Sequence, residues 1–599
     1  MNTFWQRLRE RKIVQWGLAY LAGAWLLLQV ADVLGGQFSW SIGVLRSLTI
    51  LLAAGFFATL VLAWYHGEKD NQAALLAEVL LLAFLAVIAG GLVWLVNAGD
   101  VRAPGDPAGT TVAAPDMDLA GYGASVAVLP FDNLSGAEDN EYFSDGVTEE
   151  IIRQLAKVEG LKVISRTSVV ALKGTRLTLP QIAETLGVRH VVEGSVRRSG
   201  NQVRITVQLI DPRTDAHLWT ETYDRELLDI FKVQEEIARH VSSALLTRVD
   251  GLSPRGAGSR TDEAAAYDAY LRGTYALSRP SPAGLQTAMA AFEEAISIDA
   301  TYAPAHAGLA SAHILWTLFA YPAGQEPYAS VRLALTLAEQ AVALDSASAE
   351  AWAARSHARL RAWMPVDTVL SDIEHAVKLA PSSGDIRLLH GVALAFAGRF
   401  EEAVRETAAA VELDPLAAGN HDFRAMSLNL VRRHEEAIEA ARVAQALAPR
   451  FVNPRRQEAR ALLLLGRYDE CMELDLGPYL ALRAMCLHSA GSTGEAGAII
   501  GSLAAAVQAD APTLPLHPGA ISGDLAEYYA WIGDLDGALR WLEQSAQLSP
   551  IHQFLATETG TYDRIRAEPR FQSHLEATRL AVRARIASLP GTPGSDRSR

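Results

Sequence analysis

Three long apolar runs fill the first hundred residues, and no later stretch repeats them. They cover Ile13 to Leu34, about Ile42 to Tyr65, and Ala73 to Val96. Each is long enough, at about 1.5 Å per helical residue, to cross a bilayer core. No small-residue cleavage site closes the first run, so the pattern predicts three transmembrane helices, not a removable signal. Trp64 and Tyr65 end the second as interfacial aromatics. Arg7, Arg9, Arg11 and Lys12 precede the first helix and place the N-terminus in the cytoplasm; three crossings then put the rest of the chain in the periplasm. Arg46 opposes this orientation weakly. Asp32 and Glu78 lie near helix ends, where they reach the interface, and are read as structural, not as an ion path.

Residues 98–123 lose all periodicity and are rich in Gly, Pro, Ala, Thr and Asp, the composition of a flexible tether. A compact β-type run comes next, SVAVLPF from Ser125. Tyr142 to Val158 carries helical spacing, with Phe143, Val147, Ile151 and Leu155 on one face, and Asp145 or Thr148 as its expected cap. LKVISR from Leu161 reads as a strand, Leu179 to Leu186 as a short helix opened by Pro180, and then come three closely spaced strands. In the middle one, Val203, Ile205, Val207 and Leu209 alternate with Arg204, Thr206 and Gln208, so one face is buried. Ser199-Gly200-Asn201 and Pro212 to Asp215 supply the turns, and Ile230 to Leu246 closes the unit as an amphipathic helix. The order predicts an α+β domain with a mixed sheet over 124–247, joined by a linker at 248–263 to a helical region.

From 264 the pattern becomes periodic. Pro381, Pro415 and Pro449 close the endings KLAP, ELDP and ALAP at successive spacings of 34 residues. A 34-residue period of paired helices is the tetratricopeptide (TPR) signature. Small or apolar residues stand where two helices must approach: Gly391, Leu394, Ala403 and Ala410 in one repeat, Ala425, Leu428, Ala437 and Ala444 in the next. Looser copies extend both ways, with an insertion around Phe319 to Tyr328 and a break at Thr513 to Pro518. About eight repeats with a C-terminal cap are expected over 264–585, and a disordered tail over 586–599. The fold class is therefore multidomain: N-terminal transmembrane helices, an α+β domain and an all-α solenoid.

Composition narrows the chemistry. The chain has 599 residues and a formal charge of −15, which argues against a nucleic-acid partner. Cys471 and Cys486 are its two cysteines; they either pair in an oxidising compartment or serve as two small buried residues, and the second reading is preferred. Asp145, Glu149, Glu150 and Glu193, with His190 and His217, are the carboxylates and imidazoles of the α+β unit. Glu149 and Glu150 are adjacent and point to different helix faces, so they read as a solvated helix start, not a general acid and base. The histidines lack a ligand-spaced partner, and there is no phosphate loop of Walker type or GxSxG elbow. No catalytic, cofactor or metal residues are assigned, and the chain is expected not to be an enzyme. Trp316, Phe319, Tyr321, Trp352 and Trp363 are either core packing or the lining of a concave groove, where such solenoids hold peptides or proteins.

AVLPFDNLSG, YFSDGVTEEI, LKVISRTSV and VVEGSVRRSGNQVRITVQLIDPRTDAHLWTETYDR resemble, in order, the TolB amino-terminal-like domain, related to the FlgO type. The resemblance implies an architecture in which this domain sits between an N-terminal output or membrane unit and TPR repeats. Some relatives of that kind begin with a cyclase or a winged-helix domain; residues 1–123 leave no room for either, so those activities do not carry over. Residues and resemblance together predict an inner-membrane scaffold or sensor with a protein or peptide partner and a bilayer anchor. The alternatives are an accessory subunit of a membrane signalling system, of adenylate cyclase or transcriptional regulator type, and an enzyme with an unrecognised site between the soluble domains. The sequence leaves the oligomeric state open.

Overall fold

The computed structural model describes Tyr20, Leu52 and residues 124–135, 141–245, 261, 263–279, 281–319, 327–509, 518–548 and 559–588. The chain divides into two units, 1–116 and 117–599. The three expected membrane helices, apart from Tyr20 and Leu52, lie outside the described residues, as does the tether. Tyr20 and Leu52 are helical, and the Tyr20 hydroxyl donates to the Leu52 carbonyl at 2.9 Å. Among the described residues no helix is long and apolar enough to cross a membrane.

Among the described residues the second unit opens with a six-stranded mixed sheet. Its strands are β1 (Ala124–Val128), β2 (Asp132–Asn133), β3 (Leu161–Val163), β4 (His190–Ser199), β5 (Gln202–Asp211) and β6 (Ala216–Glu226). The order is β3-β1-β4-β5-β6, with β2 also pairing β4. β1 is parallel to both neighbours and is buried throughout, as expected of an apolar central strand. β5 is antiparallel to β4 and β6 and buries alternate residues. Helix α1 (Glu141–Ala156) makes the crossover from β1 to β3; α2 (Arg166–Ala171) and α3 (Leu179–Leu186) lead to β4; α4 (Ile230–Leu245) packs on β6 and on α1. The α+β unit and its mixed sheet are as the pattern implied. Helix α2 is additional to the expected elements, and α1 starts earlier than its expected caps. Asp145 and Thr148 lie inside it; the Thr148 hydroxyl donates to the Ser144 carbonyl and accepts the Phe131 N–H at 3.0 Å.

Eight helix pairs come after the sheet unit among the described residues. They are α5 (Ala264–Leu277) with α6 (Pro282–Ile298), α7 (Ala303–Phe319) with α8 (Pro327–Leu344), α9 (Ala349–Arg361) with α10 (Val366–Leu379), and α11 (Gly384–Phe396) with α12 (Phe400–Leu413). Then come α13 (Ala418–Leu430) with α14 (His434–Leu447), α15 (Asn453–Leu464) with α16 (Tyr468–Glu473), α17 (Leu480–Ser489) with α18 (Thr493–Gln508), and α19 (Pro518–Ile532) with α20 (Leu535–Leu548). Helix α21 (Pro569–Ser588) ends the array, running past the expected boundary at 585, and packs on both α20 and α8. The small residues do what the repeat needs. Gly273 and Gly308 both press on Phe292, where an added Cβ would lie 2.7 Å and 2.6 Å from its ring.

Turns within the repeats place a left-handed residue at equivalent positions: Gly398, Gly466 and Gly533, but also Trp363 and Arg432. Glycine takes that conformation without steric cost, whereas other residues give up about 1–2 kcal/mol. Cys471 and Cys486 are joined by a disulfide with a Cα–Cα distance of 5.8 Å. This corrects the preferred reading of two unpaired small residues: the shortened α16 brings its cysteine beside α17, and both are fully buried.

The sheet unit, the first two helix pairs and the first helix of the third share an apolar core, running from Val126 and Leu155 through Tyr267, Phe292 and Tyr302 to Ala362. They are therefore not separate globules on a linker. The core predicts that Gly308→Ala, which must displace the Phe292 ring, lowers unfolding stability by about 1–3 kcal/mol. Denaturant unfolding should show the sheet unit and the first repeats lost in one transition.

Candidate protein-interaction groove

The concave side of a solenoid is ordinarily open for a partner. Here α1 lies along the first helices of the leading repeats. Arg153, near its end, ion-pairs with Glu149 at 3.2 Å and with Glu150, and donates to the Tyr270 hydroxyl of α5 at 2.9 Å. Tyr142 donates to Asp268 at 2.8 Å, and Arg198 of β4 reaches the same carboxylate at 2.6 Å. Burial, then the Asp268 hydrogen bond, push the Tyr142 hydroxyl up to about 12.

Backbone groups fasten the other end. The Ser165 N–H donates to the Leu413 carbonyl at 2.8 Å, and the Ser382 N–H to the Ala156 carbonyl at 3.2 Å. At the start of α2 the Ser168 N–H donates to Asp414 at 2.9 Å, the Ser168 hydroxyl donates to the same carboxylate, and the Leu416 N–H donates back to that hydroxyl at 2.8 Å. Gly384 permits the approach, since a Cβ there would stand 2.5 Å from the Ser165 hydroxyl. Burial pushes the Asp414 carboxyl up to about 7, although the Ser168 bonds favour its charged form.

Between α1 and the solenoid remains a cavity of about 310 Å³, bordered by Glu149, Glu150, Tyr302, Glu350, His357 and Asp385. Burial holds His357 down at about 3, so its imidazole is neutral; its Nε2 accepts from Arg361 at 3.2 Å. Burial, with Glu149 nearby, raises the Asp385 carboxyl.

The reading of Glu149 and Glu150 as a solvated helix start is thereby corrected. Both are partly buried and face the cavity, because the exposed side of α1 is the side the solenoid covers. Asp145 is buried and paired to Lys173 at 3.0 Å and Arg166 at 3.2 Å. Glu193 is elsewhere, in a recess shared with Asp132, and is raised by burial and that neighbour. The His190 ring contacts the Ser125 carbonyl at 3.3 Å, and His217 is exposed on β6. The six groups do not converge. Among the described residues no cluster could hold a metal ion.

The aromatic candidates are scattered. Trp316 is half-buried on α7, and Tyr321 lies outside the described residues. Trp352 is half-buried; its indole N–H donates to the Ser346 carbonyl at 2.8 Å, and Arg355 stacks over its ring at 4.4 Å. It borders a separate recess formed with α10, not the cavity. Trp363 sits in the α9–α10 turn at φ 54° and packs against the shared core.

Further along, the solenoid is met by the chain's own C-terminal segment. Glu527 of α19 accepts two hydrogen bonds from Arg460, at 2.7 and 2.6 Å, and one from the Thr561 hydroxyl at 2.9 Å. Arg456 pairs with Asp524 at 2.6 Å. Tyr562 is fully buried and stacks with Phe571, centroids 5.8 Å apart. Arg432 reaches Asp563 at 2.6 Å, which accounts for an arginine at a turn position where Gly398 and Gly466 stand in the adjoining repeats. Burial pushes Asp422, beside these arginines, up to about 7. No pattern of spacing signals these contacts; they join residues more than a hundred positions apart or depend on how the solenoid curves.

The region 122–240 matches the HilA/YgeH-like transcriptional regulator second-domain family. A relative from Rhizobium meliloti (strain 1021), described as "Putative adenylate cyclase 3", is 43% identical over 186 residues; the match covers 31% of this chain and 32% of that protein, so the chain spans about a third of its length. Among solved structures, the thermophilic TPR protein TTC0263 of Thermus thermophilus is 21% identical, covering 33% of this chain and all of the other, with a TM-score of 0.28. The human IFIT1 dimer with m7Gppp-AAAA is 13% identical over 54% of this chain and 86% of that one, with a TM-score of 0.33.

The contacts at Asp414 and Arg432 can each be tested. Folded Asp414 titrates at about 7, against 3.8 for an ordinary aspartate, so the folded state binds the extra proton between those values. Its contribution falls as pH rises through that window, by up to about 1.4 kcal/mol per pH unit. Asp414→Asn keeps the acceptor and loses the titration, so melting temperatures compared at pH 5 and pH 8 should show a smaller alkaline loss in the variant. Arg432→Gly relieves the left-handed turn but releases Asp563; limited proteolysis should cut the variant faster around 559–568 while the solenoid melts no earlier.

Proposed function

We propose that the chain is a non-enzymatic, membrane-anchored scaffold or sensor that binds a protein partner. The observation that carries this is the helical solenoid, eight pairs among the described residues, an architecture whose extended surfaces serve association. The sheet unit locked against its leading repeats makes a rigid body, so a partner bound on one surface is held in fixed relation to the others. Three apolar runs before residue 97 support a bilayer anchor, and the basic cluster before the first supports a periplasmic second unit. A disulfide between Cys471 and Cys486 fits an oxidising compartment. The finer likeness of 124–247 to the TolB amino-terminal-like type belongs to the same reading.

A second reading is an accessory subunit of a signalling system. It is favoured by the partial relatedness to a cyclase-named protein and to a regulator's second domain. Fold-level analogy carries no activity to this chain by itself.

The test is a pair of topology reporters, one active in the periplasm and one in the cytoplasm, fused after Asp100 and after Leu589. A periplasmic signal at both sites is expected. A cytoplasmic signal would overturn the envelope reading. Deleting residues 1–72 distinguishes the two readings: under the second it abolishes signalling even when another anchor restores location.

A further inference from the structure

We propose that β6 is a homodimerisation edge, on which a second copy of this chain adds its own β6 antiparallel to form a continuous sheet. The strand lies at the end of the sheet order and, among the described residues, pairs only with β5. It is 11 residues long, about 36 Å at the usual rise per residue, whereas most strands have about 5–6 residues. Natural edges are blunted by shortness, proline, charged side chains (lysine above all), bulges or a covering element. β6 has neither proline nor lysine, most of its residues are exposed, and the register shift in its pairing lies at its start, opposite Leu209 and Ile210, before Thr220.

The geometry fixes which groups face outward. Gly200 and Asn201 form the two-residue turn that makes Ser199 and Gln202 a mutually bonded pair. Alternation then turns the amides of Val203, Ile205 and Val207 toward β6. The Leu227 N–H donates to the Asn201 carbonyl at 2.8 Å, which places the odd-numbered residues of β6 on the inner side. The N–H and C=O groups of Thr220, Thr222, Asp224 and Glu226 therefore point away from the sheet; the Asp224 carbonyl accepts from the exposed Arg225 guanidinium at 3.0 Å, a contact that an added strand replaces. They form a ladder half with no partner strand among the described residues.

Charge selects the occupant and the register. Antiparallel pairing of β6 with itself about Tyr223 sets Glu221 opposite Arg225 of the second copy, and Arg225 opposite its Glu221. The same register sets Thr222 opposite Asp224. A register centred on Glu221 would oppose two like carboxylates, and one centred on Thr222 forms no ion pair. Directly opposed unlike charges stabilise a strand pair and like charges weaken it. The edge is thus self-complementary in a single register, as a two-fold symmetric contact requires.

The experiment uses the full chain in detergent micelles, mixing copies that carry Thr222→Cys with copies that carry Asp224→Cys. Under mild oxidation the mixture should form a disulfide-linked dimer that each variant alone forms much less. Adding Glu221→Arg or Arg225→Glu to both copies should cut that product by about tenfold, and combining the two should restore it. Thr220→Pro removes an outward N–H and no bond to β5, so it should abolish the product with an unchanged circular dichroism spectrum. Absence of the mixed product, a yield indifferent to single charge reversal, or failure of the double reversal to restore it in a natively folded chain would each overturn the proposal. Association through the membrane helices alone would give dimers by mass without the mixed cross-link, and would count against it equally.

Discussion

The seating of α1 is the constraint on which the rest of the second unit depends. Helix α1 has an apolar face on the sheet and a charged outer face. In an isolated α+β domain that outer face would be solvated. Here it is covered by the leading repeats, and its charges must be satisfied at the seam. Arg153 does this by pairing within α1 and donating to Tyr270. The apolar residues around the seam belong to one core running from the sheet into the third helix pair. Neither partner buries its surface without the other.

The same principle governs the far end of the solenoid. Arg460, Asp524 and Glu527, with the half-buried Arg456, form a charge layer on α15 and α19. A layer of this kind tolerates desolvation only if its hydrogen bonds are met. Thr561 completes it from the C-terminal segment, and Tyr562 seals it. Segments of the same chain thus cover the solenoid at both contacts. A partner must then use other surfaces and edges or displace a segment already fitted there. The buried aspartates Asp414 and Asp422 lie at the two contacts, so both are sensitive to proton concentration near neutrality.

What the sequence determined by itself was local. The 34-residue spacing of Pro381, Pro415 and Pro449, and the small residues between them, specify helix pairs, because close helix packing admits few side chains. Strict alternation in β5 specifies a half-buried strand, and Gly200 marks its turn. These signals act over a few residues and survive without knowledge of the fold. What only the tertiary structure decided was which surfaces meet. Glu149 and Glu150 read as solvated because a helix face carries no mark of a covering element 100 residues away. Cys471 and Cys486 could not be paired from spacing, since their distance depends on a shortened α16. Nothing local to Arg432 marks it as the partner of Asp563, 131 positions away. Long-range contacts of this kind are fixed by the curvature of the solenoid, which sums small rotations over many repeats, and no single stretch of sequence contains that sum.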